Sequence, residues 1–339
     1  MPSSPVSIAT FDCLPDEWRN AVVAIGNFDG MHRGHQAVLA AAQAEAEHLG
    51  APCILLTFEP HPRSFFAPDK PLFRLTEPVM RASVASALGL NGVVVAHFDA
   101  AFAETSAEDF VRRFLIEKLQ LRHAVTGYDF HFGHRRQGTP EFLQRQGVLS
   151  SFGVTVVDKH GDEEGAVSSS RIRAALEEGR VEEARQLLGW TWSVAAKVVH
   201  GDRRGRDLGF PTANMVLPTS CDLRQGIYAV RYTRPDGRVH DGVASFGRRP
   251  TFDDGAPKLE TFLFDFEGDL YGEMGLVSLV DWIRAEERFD SIEALVAQMN
   301  EDASTARRIL ANHPLADFDR RIAADWPRIE GEAEALGLA

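Results

Sequence analysis

Short apolar runs alternate with longer helix-like stretches through about residue 188 of the chain. Such runs are typical of buried strands, and they predict strands at residues 21–25, 52–58, 93–96, 124–126 and 154–157. The stretches between them predict helices at residues 36–45, 77–88, 106–119 and from residue 140. Because strand and helix alternate, we expect an N-terminal α/β domain built on a parallel sheet.

The pattern changes after Gly189, where strand-like runs follow one another without long helices between them. These runs predict strands at residues 194–199, 227–233, 239–246, 259–266 and 274–283. Closely spaced strands favour a small antiparallel barrel, and amphipathic patterns at 291–310 and 323–336 add C-terminal helices. We therefore predict two domains, residues 1–186 and residues 187–339.

Composition limits the classes of partner. The 339 residues are 44% hydrophobic and 25% charged, and they carry a formal net charge of −13. An acidic chain is a poor general surface for nucleic acid or anionic membranes. The three cysteines, the first ten residues and the apolar runs show no disulfide framework, signal peptide or membrane span. We expect a cytoplasmic protein.

The stretch from Gly26 to His35 joins the first predicted strand to the first predicted helix. Its three glycines allow a close approach of backbone to ligand, and a helix start offers unpaired N–H groups to a phosphate. His32 and His35 lie three positions apart, so one helical turn can direct both at the same phosphate. The stretch has neither the Gly-Lys-Ser/Thr of a P-loop nor the G-x-G-x-x-G of a dinucleotide site. The alternative is a pair of polar surface histidines.

Two further clusters follow later strands. Residues 127–133 follow the fourth strand, and residues 168–173 follow the fifth and begin a helix. Hydroxyls and arginine at a helix start suit phosphate binding, although the serines can also be simple caps.

Together these three motifs resemble the HxGH nucleotidyltransferases, and specifically the FAD synthetase domain of bacterial bifunctional riboflavin kinase/FAD synthetases. The resemblance implies a Rossmann-like domain that transfers an adenylyl group from ATP to FMN. It implies that His32 and His35 act on the ATP phosphates. Ser170 stands where that family usually has Thr, and His131 where Arg is common. The nucleotide-binding residues that it implies are Gly26, Phe28, Asp29, Gly30, His32, Gly34, His35, Asp129, Ser169, Ser170 and Arg173.

A Gly- and Arg-rich stretch, residues 201–214, lies between the first two strands of the second half and is predicted to be a loop. Thr212 and Asn214 place neutral oxygens two positions apart, which is compatible with a hard cation. The alternative is a flexible loop with a Phe-Pro turn.

The same stretch contains Gly-Phe-Pro-Thr-Ala-Asn, which resembles the signature of riboflavin kinases. The resemblance implies that Thr212 and Asn214 coordinate Mg²⁺ with ATP and that Glu260 is the general base. Arg248 and Arg249 replace a pair more common in that family. The ATP- and flavin-binding residues that it implies are Gly205, Gly209, Phe210, Pro211, Thr212, Asn214 and Glu260.

We therefore expect a bifunctional enzyme that phosphorylates riboflavin to FMN and adenylylates FMN to FAD, with Mg²⁺ and ATP in both steps. Its expected partners are the small molecules ATP, riboflavin and FMN, with no nucleic acid and no membrane, and its oligomeric state is left open. One rival is a different nucleotidyltransferase fused to an unrelated barrel. A second rival is a flavin-binding protein without catalysis.

Overall fold

The computed structural model describes residues 7–159, 161–162, 165–201, 208–248 and 256–338. Its contacts divide the chain into two compact units. The first unit comprises Met1–Leu72, Thr76–Ser168 and Arg328–Ala339, and the second comprises Phe73–Leu75 and Ser169–Pro327. Both predicted architectures are confirmed: a parallel sheet with helices, and a closed antiparallel barrel.

The sheet of the first unit is formed by β1 (Ser7–Thr10), β2 (Val22–Ile25), β3 (Cys53–Glu59), β4 (Gly92–His97), β5 (His123–Gly127) and β6 (Gly153–Val157). The strand order is β1-β4-β3-β2-β5-β6, and every neighbouring pair is parallel. The chain leaves β2 toward β3 on one side, while β5 and β6 lie on the other. The carboxyl ends of β2 and β5 therefore meet at a topological switch point, where open α/β sheets bind ligands.

The helices of the first unit are α1 (Arg33–Leu49), α2 (Pro62–Phe66), α3 (Pro78–Leu88), α4 (Ala100–Ala103), α5 (Ala107–Asp109) and α6 (Pro140–Ser150). Gly89 ends α3 in the left-handed conformation that favours glycine. The oxygens of Ser106 and Thr139 cap α5 and α6, as the sequence predicts.

Two local predictions for this unit differ from the structure. The strand β1 is absent from the prediction because four residues carry too little periodicity to distinguish them from an ordinary N-terminal segment. The helix predicted at 106–119 forms, but residues Phe110–Lys118 wind as a π-helix. That wider winding occurs where the rings of Phe110 and Phe114 pack against Phe102.

The helices of the second unit include α7 (Ser169–Glu177), α8 (Val181–Leu188) and α9 (Ile292–Asn312). The last helix, α10 (Asp317–Ala335), belongs to the second unit through Pro327 and to the first unit from Arg328. Two short strands, β7 (Gly161–Asp162) and β8 (Gly165–Ala166), pair with each other earlier in the chain. The barrel strands are β9 (Ser193–Val199), β10 (Thr212–Val216), β11 (Gly226–Thr233), β12 (Val239–Arg248), β13 (Pro257–Leu263) and β14 (Met274–Arg284). They close in the order β10-β13-β12-β11-β14-β9.

Helix α9 covers one outer face of the barrel. Ala306 and Leu310 of α9 belong to one buried cluster with Ala229, Val243 and Val280 of the strands. Because β11 packs against α9 as well as the barrel interior, nearly all of its residues are buried rather than alternate ones.

The strand β10 corrects the prediction of a loop through residue 214. Its residues pair with β13 on one side and β9 on the other, and this pairing closes the barrel. Five residues that include Asn and Thr have little apolar periodicity of their own, so the strand is defined by its neighbours. No helix in the described part of the chain is long and apolar enough to cross a membrane.

Candidate active sites

The turn between β2 and α1 has an unusual backbone. Phe28, Gly30 and Met31 all have positive φ angles, of 50°, 92° and 45°. A positive φ is uncommon for residues other than glycine, and it persists where the surroundings hold it. Here the side chains of Phe28 and Met31 are buried, and Gly26 leaves room for the Phe28 ring, which would lie 3.1 Å from a Cβ at that position. The turn is therefore anchored to the core by its own apolar side chains.

The two predicted histidines form a pair at the start of α1. The Nδ1 atom of His32 accepts a hydrogen bond from the backbone N–H of His35 at 3.2 Å, so His32 caps the helix. The two rings stack with centroids 3.6 Å apart and an interplanar angle of 15°. A Cβ at Gly34 would lie 3.1 Å from the His32 ring, which explains the glycine between them.

The surroundings of His35 favour its neutral form. Burial lowers the pKa of His35 well below its usual value, and the neighbouring His32 and Arg81 lower it further. The Nδ1 atom of His35 is shielded from solvent and has no hydrogen-bond partner among the described residues. A neutral imidazole with an uncommitted ring nitrogen can bond to a ligand without changing its charge.

Asp29 is buried beneath the turn. Its carboxylate accepts hydrogen bonds from the backbone N–H of Thr76 at 3.0 Å and from the Thr76 hydroxyl at 3.4 Å. The backbone N–H of Gly30 donates to the same hydroxyl at 2.9 Å. Asp29 and Gly30 are therefore fixed to a segment 46 or 47 residues away, which the motif alone does not reveal.

Arg81 of α3 is a second residue that the sequence reasoning missed. Its side chain is fully buried and donates to the Thr57 hydroxyl at 2.7 Å, a Glu59 carboxylate oxygen at 2.8 Å and the Thr76 carbonyl at 3.2 Å. The Thr57 hydroxyl in turn donates to the carbonyl of Asn27 at 3.1 Å. The available signal was an arginine within an otherwise apolar helix, since charged residues are rarely buried without a specific partner.

Asp129 belongs to the loop that follows β5, at the switch point beside β2. The loop turns tightly, with the N–H of Phe130 bonded to the carbonyl of Gly127, and it leaves Asp129 exposed. His131 is also exposed, and its Nδ1 lies 2.8 Å from the Asp129 carbonyl oxygen. The structure thus places this motif and the β2–α1 turn after adjacent strands of the sheet.

Three phenylalanines extend the same edge of the sheet. The rings of Phe65, Phe66 and Phe98 contact one another with centroids 5.2 to 5.8 Å apart, and Phe66 is 67% exposed. We call these three residues the phenylalanine platform. They follow β3 and β4, and the N–H of Phe98 donates to the carbonyl of Glu59, the last residue of β3. An exposed aromatic surface at a ligand-binding edge can stack on a planar ring.

The third predicted motif begins α7, in the second unit. Ser169 and Ser170 are the first residues of the helix, and Arg173 lies one turn later. The Nε of Arg173 donates to the carbonyl of Phe73 at 2.6 Å.

A cleft of about 570 Å³ opens on the outer face of the barrel. Its lining combines an apolar wall with hydroxyl and charged side chains. The apolar lining residues include Phe210, Ile227, Val243, Ala244, Phe262, Phe289, Leu295 and Met299. The polar ones are Thr212, Ser245, Glu260, Arg284, Glu286, Glu287, Arg288 and Asp302. The mixture is typical of a small-molecule site, and it includes three predicted residues: Phe210, Thr212 and Glu260.

Strand register brings the polar residues of the cleft together. Glu260 pairs with Asn214 of β10 on one side and with Ser245 of β12 on the other. Directly paired residues share a face of the sheet, and side chains two apart on a strand share it too. Thr212, Asn214, Ser245 and Glu260 therefore lie on one face, while Leu259 points into the barrel and is fully buried.

The two predicted side chains contact each other on β10. The Asn214 amide nitrogen donates to the carbonyl of Thr212 at 3.1 Å and lies 3.3 Å from its hydroxyl. Gly201 packs against this amide, since a Cβ there would lie 2.6 Å from it. Gly209 has a φ of 83° and leads to the buried Phe210 and the exposed Pro211. Gly205 and Arg249 lie outside the described residues, as does most of the glycine- and arginine-rich loop.

An ion pair and a hydrogen bond connect polar residues of the cleft wall. The Arg284 guanidinium binds both oxygens of Asp302, at 2.8 and 2.7 Å, and so joins β14 to α9. The Ser245 hydroxyl donates to the Glu286 carboxylate at 3.2 Å. Arg248 instead donates to the carbonyls of Thr219 and Cys221, at 3.0 and 2.7 Å. Arg248 thus braces a neighbouring loop.

Comparison with known proteins finds two family models on the chain. The FAD synthetase model matches residues 14–171, and the riboflavin kinase model matches residues 188–310. Proteins named bifunctional riboflavin kinase/FMN adenylyltransferase are similar over most of the chain. The one from Pseudomonas fluorescens is 40% identical over 88% of this chain and 96% of its own length, and the one from Listeria monocytogenes is 36% identical over 87% and 95%.

A solved structure from Streptococcus pneumoniae, titled macrolide-efflux protein, shares the fold. It superposes with a TM-score of 0.76 at 31% sequence identity and covers 91% of this chain and 99% of its own.

The environment of His35 generates the first prediction. We expect its imidazole to stay neutral when other, solvated histidines protonate, at a pH near 6.5. Below that pH the unfolded chain gains a proton at His35 that the folded chain does not bind. Its contribution to stability is therefore present above about pH 6.5 and is lost as the pH falls.

Nitrogen-detected NMR of ¹⁵N-histidine-labelled protein measures this directly, and a His35→Gln spectrum identifies the signal. A midpoint for His35 at or above the ordinary value contradicts the prediction.

Proposed function

This chain belongs to the bifunctional riboflavin kinase/FMN adenylyltransferases, and we propose that the barrel cleft phosphorylates riboflavin whereas the β2–α1 turn adenylylates FMN. The enzyme makes FMN from riboflavin and FAD from FMN, with ATP as the second substrate of each reaction. The observation that carries the division of labour is Glu260, a carboxylate on the lining of a cleft in the kinase-like unit. Among the described residues of the β2–α1 turn, the one carboxylate, that of Asp29, is buried against Thr76.

The kinase reaction uses a neutral hydroxyl as its nucleophile and the adenylyl transfer uses an anionic phosphate, so the two sites need different groups. The ribityl 5′-hydroxyl of riboflavin must lose its proton as it attacks the γ-phosphorus of ATP and ADP leaves. Glu260 accepts that proton, as a positioned general base. The cleft walls provided by Phe210, Phe262 and Met299 hold the flavin ring and exclude water from it.

Thr212 and Asn214 fit a bound Mg²⁺. Both supply neutral oxygens, the two side chains already lie within hydrogen-bonding distance, and they sit beside Glu260 in the barrel. Mg²⁺ in phosphoryl-transfer sites usually takes one or two protein oxygens and completes its shell with phosphates and water. When bound, the ion neutralises charge on the ATP phosphates. Thr212 and Asn214 would hold it, and Gly209 and Pro211 would shape the approach to it.

Adenylyl transfer needs no protein base. An FMN phosphate oxygen is already anionic when it attacks the α-phosphorus of ATP, and pyrophosphate leaves. Positioning and charge stabilisation dominate such a step. His32 and His35 contact the polyphosphate at the start of α1, with the helix dipole adding positive potential. Gly30, with its positive φ, allows the backbone of the turn to approach the polyphosphate, while Gly26 and Gly34 leave room for the rings of Phe28 and His32.

We assign the remaining predicted residues to the adenylyltransferase site as well, and a different observation supports each assignment. Phe28 stabilises the turn because its side chain is buried in the core, and Asp29 does so because its carboxylate accepts a hydrogen bond from Thr76. Asp129 is exposed after the strand adjacent to β2 and contacts the nucleotide. For Ser169, Ser170 and Arg173 the support is the motif at the start of α7, whose hydroxyls and guanidinium suit phosphate oxygens.

The phenylalanine platform supplies what the sequence reasoning lacked, a place for the flavin of FMN. Its exposed ring, that of Phe66, can stack on the isoalloxazine, and the platform lies at the carboxyl edge of the sheet.

We place the enzyme in the cytoplasm with small-molecule partners and no nucleic acid. The non-catalytic rival is disfavoured because Glu260, Thr212 and Asn214 share one face and stand in register.

His35→Ala tests the adenylyltransferase assignment. Loss of one preorganised group at developing charge typically costs about 10²–10³-fold in rate. We expect FMN-to-FAD conversion to fall by that factor while riboflavin phosphorylation by the same preparation continues unchanged. Exposed His48, on the solvent side of α1, provides the matched control as His48→Ala. Equal loss of both activities in folded His35→Ala protein overturns the assignment.

Glu260→Gln tests the kinase base. The amide keeps the shape of the carboxylate but cannot accept the proton, so FMN formation should fall by about 10²–10⁴-fold. FMN adenylylation should remain at the wild-type rate. Both reactions are measured by chromatography of the flavins, with Glu267→Gln as an exposed control on the same unit. A Glu260→Gln enzyme with near wild-type kinase activity contradicts the role.

We keep residues 1–186 and 187–339 as the proposed functional division, and fragments test it. Helix α7 contacts the barrel: the N–H of Arg224 donates to the carbonyl of Leu176, and its guanidinium donates to that of Glu178. A fragment that begins at Ser169 keeps these contacts, and one that begins near Glu182 loses them. We expect both to make FMN and no FAD, and the longer one to unfold at a higher temperature. Soluble, folded fragments without kinase activity contradict the division.

A further inference from the structure

The side chain of Arg81 lies in the middle of α3, where its neighbours Val79, Met80, Ala82 and Ser83 are all buried. None of its surface is exposed. Burying a guanidinium is unfavourable unless hydrogen bonds and an opposite charge replace its hydration. Its contacts therefore indicate why the chain places a charge here.

The guanidinium makes three hydrogen bonds with three different segments. One Nη donates to the Thr57 hydroxyl at 2.7 Å, and the other donates to Glu59 at 2.8 Å and to the Thr76 carbonyl at 3.2 Å. The Glu59 side chain is 12% exposed and supplies the opposite charge. The Nε of Arg81 has no hydrogen-bond partner within the described part of the chain.

Two of these contacts lead directly to the β2–α1 turn. Thr57 links Arg81 to the start of the turn, because its hydroxyl donates to the Asn27 carbonyl at 3.1 Å. Thr76 links Arg81 to the middle of the turn. Its N–H and its hydroxyl donate to Asp29, and its hydroxyl oxygen accepts from the N–H of Gly30. A planar fork can hold two such groups in fixed directions, which the single ammonium of lysine cannot do.

We infer that Arg81 is a positioning residue for adenylyl transfer, whose guanidinium fork fixes the Asn27–Gly30 turn and thereby the histidine pair that follows it. The inference rests on the proposed function of that turn. Arg81 touches neither substrate nor reacting atoms in this role. The backbone of the turn has positive φ angles at Phe28, Gly30 and Met31. Arg81 holds that backbone in place through Thr57 and Thr76, and without this support it would relax.

A misplacement of about 1 Å in a catalytic group can cost about 10²-fold in rate. We therefore expect Arg81→Met to lower kcat for FMN adenylylation by about 10²-fold, with a smaller rise in KM for ATP. Arg81→Lys keeps the charge but not the fork, so it should rescue only part of the loss. Riboflavin phosphorylation by the same full-length preparations should stay at the wild-type rate.

Thr57→Val keeps the inference testable if the Arg81 variants fold poorly. It leaves the Arg81–Glu59 pair in place and removes only the hydroxyl that reaches the turn. A lost hydrogen bond of this kind corresponds to roughly tenfold in kcat. Ser83→Ala is the matched control, because Ser83 is equally buried on α3 but, among the described residues, its hydroxyl bonds only to the Val79 carbonyl of its own helix, at 2.8 Å. It should leave both activities unchanged.

The NMR titration of His35 distinguishes the effect of the Arg81 guanidinium from a general effect of altered packing in α3. Burial lowers the pKa of His35 most, and the neighbouring His32 and Arg81 lower it further, with Glu59 paired to Arg81. The NMR midpoint of His35 should move up toward the ordinary value in Arg81→Met and stay low in Ser83→Ala.

The outcomes decide between the possibilities. Wild-type adenylylation by folded Thr57→Val and Arg81→Lys overturns the inference, as does an equal loss in Ser83→Ala. If His35→Ala leaves adenylylation intact, the proposed function of the turn fails instead. If His35→Ala abolishes adenylylation and Thr57→Val does not affect it, the role of Arg81 alone is wrong.

Discussion

A buried positive charge beneath a strained turn is the constraint on which the nucleotide-binding edge of the sheet depends. The turn needs positive φ at Phe28 and Met31, and such a backbone persists where several groups hold it at once. Apolar anchoring holds those two side chains. The polar anchoring comes from Arg81, through Thr57 and Thr76, and it exists because Glu59 neutralises the guanidinium. The apolar and the polar anchoring together fix the position of the helix start that carries the two histidines.

The cleft of the second unit is organised by a different principle, the register of a closed barrel. Glu260 meets Asn214 and Ser245 because β13 pairs with β10 on one side and β12 on the other. A shift of one residue would turn Glu260 into the apolar interior and bring Leu259 out. The barrel core, which buries Leu259 and Phe246 fully, therefore specifies the position of the carboxylate.

Residues close together in the sequence could be predicted, and residues joined by long-range contacts could not. The turn, its histidines and the Thr-x-Asn pair are local patterns whose spacing already implies their chemistry. Thr76 and Arg81 contribute through bonds to residues 22 to 47 positions away, and no local pattern marks those partners. For the same reason β10 was expected to be a loop: its strand character comes from β9 and β13, which lie on either side. The phenylalanine platform also needs the fold, since its members come from the ends of two strands.

The two reactions explain why one chain keeps two kinds of phosphate site. A neutral hydroxyl requires a carboxylate that is accessible within the cleft, and a half-buried strand position such as that of Glu260 provides it. An anionic phosphate nucleophile would be repelled by such a carboxylate, so the turn must keep its own negative charge out of reach. Asp29 meets that requirement, since it is 3% exposed and bonded to Thr76. The net charge of −13 makes this separation more important, because the anionic substrates approach an acidic protein. The neutral imidazole of His35 and the backbone N–H groups at the start of α1 then form a phosphate site whose own carboxylate, that of Asp29, is buried.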